Sequence, residues 1–263
     1  MSNSEEIIVS RKSTVDYWNK NWEYSSGNTK ESYFRRRLEQ SMLRCFSELT
    51  PNNNSLIEIG AGGSEYLPYL HHKFGFEVTG LDYSEVGCES ARELLKSMNV
   101  PGVVYQADMF DPPTLVLEKF DVVVSFGLVE HFTDTAQAIA ACAAFAKPGG
   151  MVLTLIPNMT GLYGFLYKLF DRNIFDIHVP ISLNELINAH HAAGLKIVQS
   201  ECLLGLPGVI DGDRIDPVWI RHALRRVVFR FSKIYWWLEE RGIGIPENTF
   251  SSPYLICVAR KAI

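Results

Sequence analysis

Between residues 55 and 156 short apolar runs alternate with helical patterns, and this rhythm constrains the fold more than any other feature. Ser55–Gly60, Phe76–Leu81, Gly102–Ala107, Phe120–Ser125 and Met151–Ile156 read as strands. Val122-Val123-Val124 is apolar on both faces, as expected of a strand covered by a layer on each side. The intervening segments have readable helix ends. Tyr66–Phe74 follows a glycine loop, Glu85–Met98 starts behind Ser84, and a helix opened by Asp134 and Gln137 stops at Lys147-Pro148-Gly149-Gly150. Ser182 and Glu185 form a capping box before a helix ending at Gly194. Lys196–Leu204 and Tyr254–Ala259 complete the set as two strands expected to pair antiparallel. The fold class expected is α/β: a doubly wound, mostly parallel seven-stranded sheet with an antiparallel last strand and helices on both faces.

One domain is expected over residues 1–263, with a helical cap over 1–50, a core over 51–156, and insertions at 157–180 and 205–252. The cap carries Tyr17, Trp18, Trp22 and Tyr24, and the first insertion carries Tyr163, Phe165, Tyr167, Phe170 and Phe175. Loops of this length in a compact domain are usually functional. A net charge of −5 and a pI near 5.8 argue against a nucleic-acid partner, which usually meets a basic face. The five cysteines form no CxxC pair, no signal peptide is evident and no run approaches about 18 apolar residues, so a cytoplasmic protein without a transmembrane segment is expected.

The strongest local signal is Leu56-Ile57-Glu58-Ile59-Gly60-Ala61-Gly62-Gly63-Ser64, a strand running into glycines and then a helix. Asp82 closes the second strand 22 residues after Gly60, where an acid can accept both hydroxyls of a ribose. A dinucleotide fingerprint would need glycine at position 65, which is Glu65, and Glu58 is poorly placed beside a pyrophosphate. The ligand expected is an adenosine compound with positive charge and no phosphate.

These residues resemble the class I S-adenosylmethionine-dependent methyltransferases of small molecules. The family's acid and Gly-x-Gly loop match Glu58-Ile59-Gly60-Ala61-Gly62, and its second-strand acid matches Asp82. Its third-strand acid matches Asp108 in Gln106-Ala107-Asp108-Met109-Phe110. Its fourth strand and loop match Phe120–Ser125 followed by Phe126-Gly127-Leu128-Val129-Glu130-His131-Phe132, and its Pro-Gly-Gly turn matches Ala146–Gly150. The motifs cover roughly residues 50–204 and the last strand, with Ser64 where the family often has a third glycine.

The resemblance implies S-adenosylmethionine as cofactor and a role for each matched residue. Gly60, Ala61 and Gly62 approach its methionine portion, Glu58 orients the loop or the cofactor amino group, and Asp82 holds the ribose. Tyr83 covers the adenine or packs internally, Asp108 accepts from the adenine amino group, Met109 packs on the ring, and Phe126 and Gly127 line the far side. Tyr17 or Trp18 forms a lid. His131 and His178 are the candidate acid–base residues, with a structural role for His131 left open. The pairs His71-His72 and His190-His191 are expected to be solvated, and no spacing suggests a metal site.

Transfer to a small, apolar or aromatic acceptor by in-line displacement is therefore expected. A nicotinamide-dependent oxidoreductase and a non-catalytic, membrane-associated protein on the same scaffold are the alternatives. The last is motivated by Ala223–Leu238, where Leu224, Val227, Val228, Phe231, Ile234, Tyr235 and Leu238 share a helical stripe opposite Arg226, Arg230 and Lys233. Such a helix packs on the core, lids a substrate or touches lipid peripherally. The acceptor and the oligomeric state are left open.

Overall fold

The computed structural model describes residues 10–23, 33–47, 54–206, 226–227, 230–231, 233–235, 237–239, 241–244 and 246–263. Within the core, β1 (Ser55–Ile59), β2 (Glu77–Asp82), β3 (Gly102–Gln106), β4 (Phe120–Phe126) and β5 (Ala146–Pro157) run parallel. The last two strands, β6 (Leu195–Leu203) and β7 (Tyr254–Lys261), pair antiparallel, and β7 inserts between β5 and β6. The sheet order is β3-β2-β1-β4-β5-β7-β6, the expected mixed seven-stranded architecture.

The double alternation of apolar residues explains the two layers. Leu56, Val78, Val104, Val122 and Val124 face one side and bury Leu38 and Met42 of α2 (Tyr33–Phe46), Leu67 and Leu70 of α3 (Tyr66–Phe74) and Leu95 of α4 (Glu85–Ser97). Ile57, Ile59, Val123 and Val152 face the other and meet Ile139 of α5 (Thr135–Ala143) and Leu186 of α8 (Leu183–Ala192). Each inward-facing side chain removed from water contributes roughly 1.5–3 kcal/mol, so neither face tolerates a register slip.

The helix ends form as the sequence indicates. Ser84 accepts from the Gly87 amide (2.9 Å), Asp134 from Gln137 (2.9 Å), and Ser182 and Glu185 make the reciprocal capping box of α8. The Lys147-Pro148-Gly149-Gly150 segment corrects one expectation. It lies inside β5 rather than at the stop of α5, which ends at Ala143. Gly149 adopts φ +77°, and the β4–β5 register shifts between Phe120 and Val122, so the Pro-Gly-Gly run is an irregular strand entry.

The first insertion is helical, with α6 (Leu162–Phe170) and α7 (Arg172–Asp176). In the second insertion, Val227, Phe231 and Ile234 are exposed among the described helical residues. That overturns packing of these three on the core. Leu224, Val228, Phe229 and Trp236 lie outside the described residues, as does Tyr24. Among the described residues no helix is long and apolar enough to cross a membrane.

Before them, α1 (Val15–Glu23) is preceded by a short strap. Arg11 bridges Phe132 in antiparallel fashion, the Lys12 amide donates to the His131 carbonyl (2.8 Å), and the Thr133 amide donates to that of Ser10 (3.1 Å).

Candidate active site

β1 and β4 are neighbours from which the chain winds outward in both directions, and a crevice opens beyond their carboxyl ends. The glycine loop forms its floor. Gly60 has φ +77°, a conformation that disfavours any side chain, and a Cβ there would meet Leu128 Cδ1 at 3.0 Å. The Gly60 and Ala61 amides donate to the Leu81 carbonyl (2.8 and 3.1 Å), tying the loop to β2.

Asp82 is buried at the end of β2. Its two oxygens accept from the Gly62 and Ser84 amides, both at 2.8 Å. The carboxylate thus joins the glycine loop to the start of α4 and still faces the crevice. Burial raises its proton affinity, against the backbone donors that lower it.

Gly60, Asp82, Tyr83, Asp108, Met109 and Arg11 line one cleft. Five of the six are expected site residues. Arg11 is the addition: its guanidinium pairs with Asp108 and lies 5.1 Å from the Tyr83 ring centroid. No spacing rule flags an arginine 97 residues from its partner.

The other expected contacts lie outside that lining. Ala61 is fully buried, and a Cβ built on Gly80 would stand 3.0 Å from its Cβ. Phe126 stacks on Tyr66, with centroids 4.2 Å apart. Glu58 is buried behind the loop with Oε2 unpartnered, and burial pushes its carboxyl up to about 8, opposed by the Ser64 hydroxyl. An unpaired buried carboxylate is costly, and a cationic group would complete it. That orphaned oxygen and the Asp82 carboxylate fit a cationic adenosine ligand, while Asp108 is already paired with Arg11.

A second cavity, of about 240 Å³, adjoins the loop after β4. Tyr17, Trp18, Tyr163, Glu130, His131 and His178 line it. Tyr17, expected over the cofactor, therefore faces this cavity. His131 Nδ1 lies 2.8 Å from the Ile177 carbonyl and His178 Nδ1 2.6 Å from that of Ile174. A carbonyl only accepts, so each Nδ1 carries the proton and each Nε2 keeps its lone pair. Burial, then the neighbouring His178, holds His131 down to about 4, and burial also lowers His178. The two rings are 4.6 Å apart, although 47 residues separate them in the chain. Glu130 is buried beside them, and neither carboxylate oxygen has a hydrogen-bond partner.

His190 corrects the expectation of a solvated pair. It is fully buried, with Nδ1 2.8 Å from the Leu186 carbonyl and Nε2 3.2 Å from the Thr154 hydroxyl, whereas His191 is exposed.

Residues 57–154 match the family profile described as a methyltransferase domain. A ubiquinone biosynthesis O-methyltransferase of Methylobacterium nodulans is 31% identical over 157 residues, which are 56% of this chain and 61% of that protein. The chain thus spans less than two thirds of that relative's length. A protein of the same description from Coxiella burnetii is 24% identical over 202 residues, 74% of this chain and 82% of the relative. A solved structure, an S-adenosylmethionine-dependent methyltransferase from Archaeoglobus fulgidus, superposes with a TM-score of 0.54 at 18% identity, covering 86% of this chain and 94% of its own. The domain match and the shared sheet identify residues 57–154 as a methyltransferase domain, in a chain with the fold of the class I S-adenosylmethionine-dependent methyltransferases.

Proposed function

We propose that this chain methylates an oxygen of a small aromatic or apolar metabolite, with S-adenosylmethionine as methyl donor. The observation that carries this reading is the pair of adjoining spaces: an acid-lined cleft on the glycine loop, and an aromatic cavity holding two neutral imidazoles. When bound, S-adenosylmethionine supplies an electrophilic methyl carbon on a sulfonium. Asp82 accepts from the ribose hydroxyls through charge-assisted bonds, Asp108 accepts from the adenine amino group, and Glu58 meets the ammonium side of the ligand. Gly60 leaves the loop free of side chains where the ligand approaches.

Tyr17, Trp18 and Tyr163 enclose the acceptor and exclude water. Holding the acceptor in place accounts for much of the rate enhancement, up to about 7–11 kcal/mol in favourable systems. The Nε2 lone pairs of His131 and His178 stand where the acceptor's proton has to leave. The oxygen acceptor is suggested by the ubiquinone O-methyltransferase relatives. Peripheral lipid contact is a secondary reading, favoured by the exposure of Val227, Phe231, Ile234 and Trp237 near Arg226, Arg230 and Lys233.

Calorimetric titration with S-adenosylhomocysteine tests the assignment. Wild type binds one equivalent, and Asp82→Asn, which keeps the shape and removes the charge, weakens binding by about 10–100-fold. Equal affinity in a variant with unaltered circular dichroism removes Asp82 from the site. Methylation of a panel of phenols and catechols then assigns the acceptor.

A further inference from the structure

Glu130, His131 and His178 are all buried, and one ligand atom from each lies within 4.8 Å of the other two. Their arrangement has three features that ordinary core packing does not need. Both imidazoles spend Nδ1 on a backbone carbonyl, which fixes the tautomer and aims the Nε2 lone pair elsewhere. Glu130 is 1% exposed, and both its oxygens lack a hydrogen-bond partner. The Lys12 ammonium does not answer it: it donates to the carbonyl oxygens of Asp176 (3.3 Å) and His178 (3.2 Å). Three side chains thus bring potential ligand atoms together, and among the described residues no side chain answers the Glu130 carboxyl.

We propose that Glu130, His131 and His178 bind a divalent transition-metal ion of the zinc class. Two imidazoles and one carboxylate form a donor set suited to zinc, iron, cobalt or nickel, and three protein ligands leave a coordination position open. The Ile174 and Ile177 carbonyls supply the outer hydrogen bonds that orient metal-bound histidines. The open position faces the aromatic cavity, since all three residues line it. The ion-binding claim stands on this geometry alone. Only its consequence rests on the methyl-transfer reading. A bound ion occupies the two Nε2 lone pairs and replaces their proton-accepting role by making a ligated oxygen more acidic, so the acceptor is then a molecule whose reactive oxygen can ligate a metal.

The test uses the full chain, treated with chelator and titrated with Co2+ as a spectroscopic substitute for zinc. Wild type should bind one equivalent with the visible absorption of a low-symmetry, nitrogen- and oxygen-ligated Co2+, and zinc should displace it. His178→Ala and Glu130→Gln should each weaken binding more than 10-fold. Glu130→Gln is nearly isosteric and answers the question if His178→Ala fails to fold. Absence of saturable Co2+ binding to folded wild type, or equal binding by folded Glu130→Gln, overturns the site. S-Adenosylhomocysteine affinity, measured on the same samples, reports separately on the cofactor cleft, so loss of one claim is distinguishable from loss of the other.

Discussion

Glu58 illustrates how one buried carboxylate couples ligand binding to protons. Its carboxyl is pushed up to about 8 from an ordinary 4.5, so the free protein carries the proton at neutral pH. A group whose folded value is raised binds more protons folded than unfolded, and its contribution to stability is lost as pH rises from 4.5 towards about 8. On the proposed role of Glu58, the ligand's ammonium favours the anion, so cofactor binding expels that proton. S-Adenosylhomocysteine affinity should therefore climb as pH rises towards about 8, and Glu58→Gln should flatten that slope while weakening binding at pH about 8. Calorimetry in buffers of different ionisation enthalpy would detect the released proton, and a wild-type slope matching that of Glu58→Gln would refute the coupling. At this scale Asp82, which the structure places at the cleft, was legible because it closes a strand beside a glycine loop and a helix cap. Asp108 is reached only through the family resemblance, and Glu58 lies behind the loop, outside the cleft lining. Arg11 was not legible, because its meaning comes from a partner 97 residues away. His178 is a candidate in the sequence, but its pairing with His131 across 47 residues is not legible there.

The junction of α8 with β5 shows what periodicity alone misses. The sequence places His190-His191 on an outer helix, and the helix forms as expected from its capping box. Which histidine turns inward depends on the sheet beneath. His190 lands over Thr154, and burial holds its proton affinity down to about 4, against an ordinary 6.5. A depressed histidine supports the fold above the unfolded value, and that support is lost as pH falls from 6.5 through about 4. The linkage is worth roughly 3 kcal/mol. His190→Leu should show a shallower acid loss of melting temperature over that interval than wild type, and identical acid profiles by calorimetry would show that His190 does not govern it. The strand order and helix faces were readable because apolar runs repeat at fixed spacing. The Pro-Gly-Gly run was misplaced because a local turn signal cannot tell a helix stop from an irregular strand entry.

Across the whole molecule, the sheet was the most legible part and the insertions the least. A buried strand shows in its own composition, whereas the cavity over β4 is assembled from α1, the loop after β4 and the α6–α7 insertion. The strap at residues 10–13 belongs to that assembly. Arg11 reaches into the cleft on the glycine loop, while Lys12 holds the carbonyl of His178 at the edge of the aromatic cavity. One four-residue segment thus touches both chambers. If it swings as a unit, neither chamber empties independently. A molecule lodged in the aromatic chamber should slow the escape of S-adenosylhomocysteine in stopped-flow experiments, and Arg11→Ala should release that restraint several-fold. Departure rates indifferent to both changes would mean that the strap is a fixed wall. Coupled departure would mean, for the proposed reaction, that the spent donor and the methylated product share one exit event.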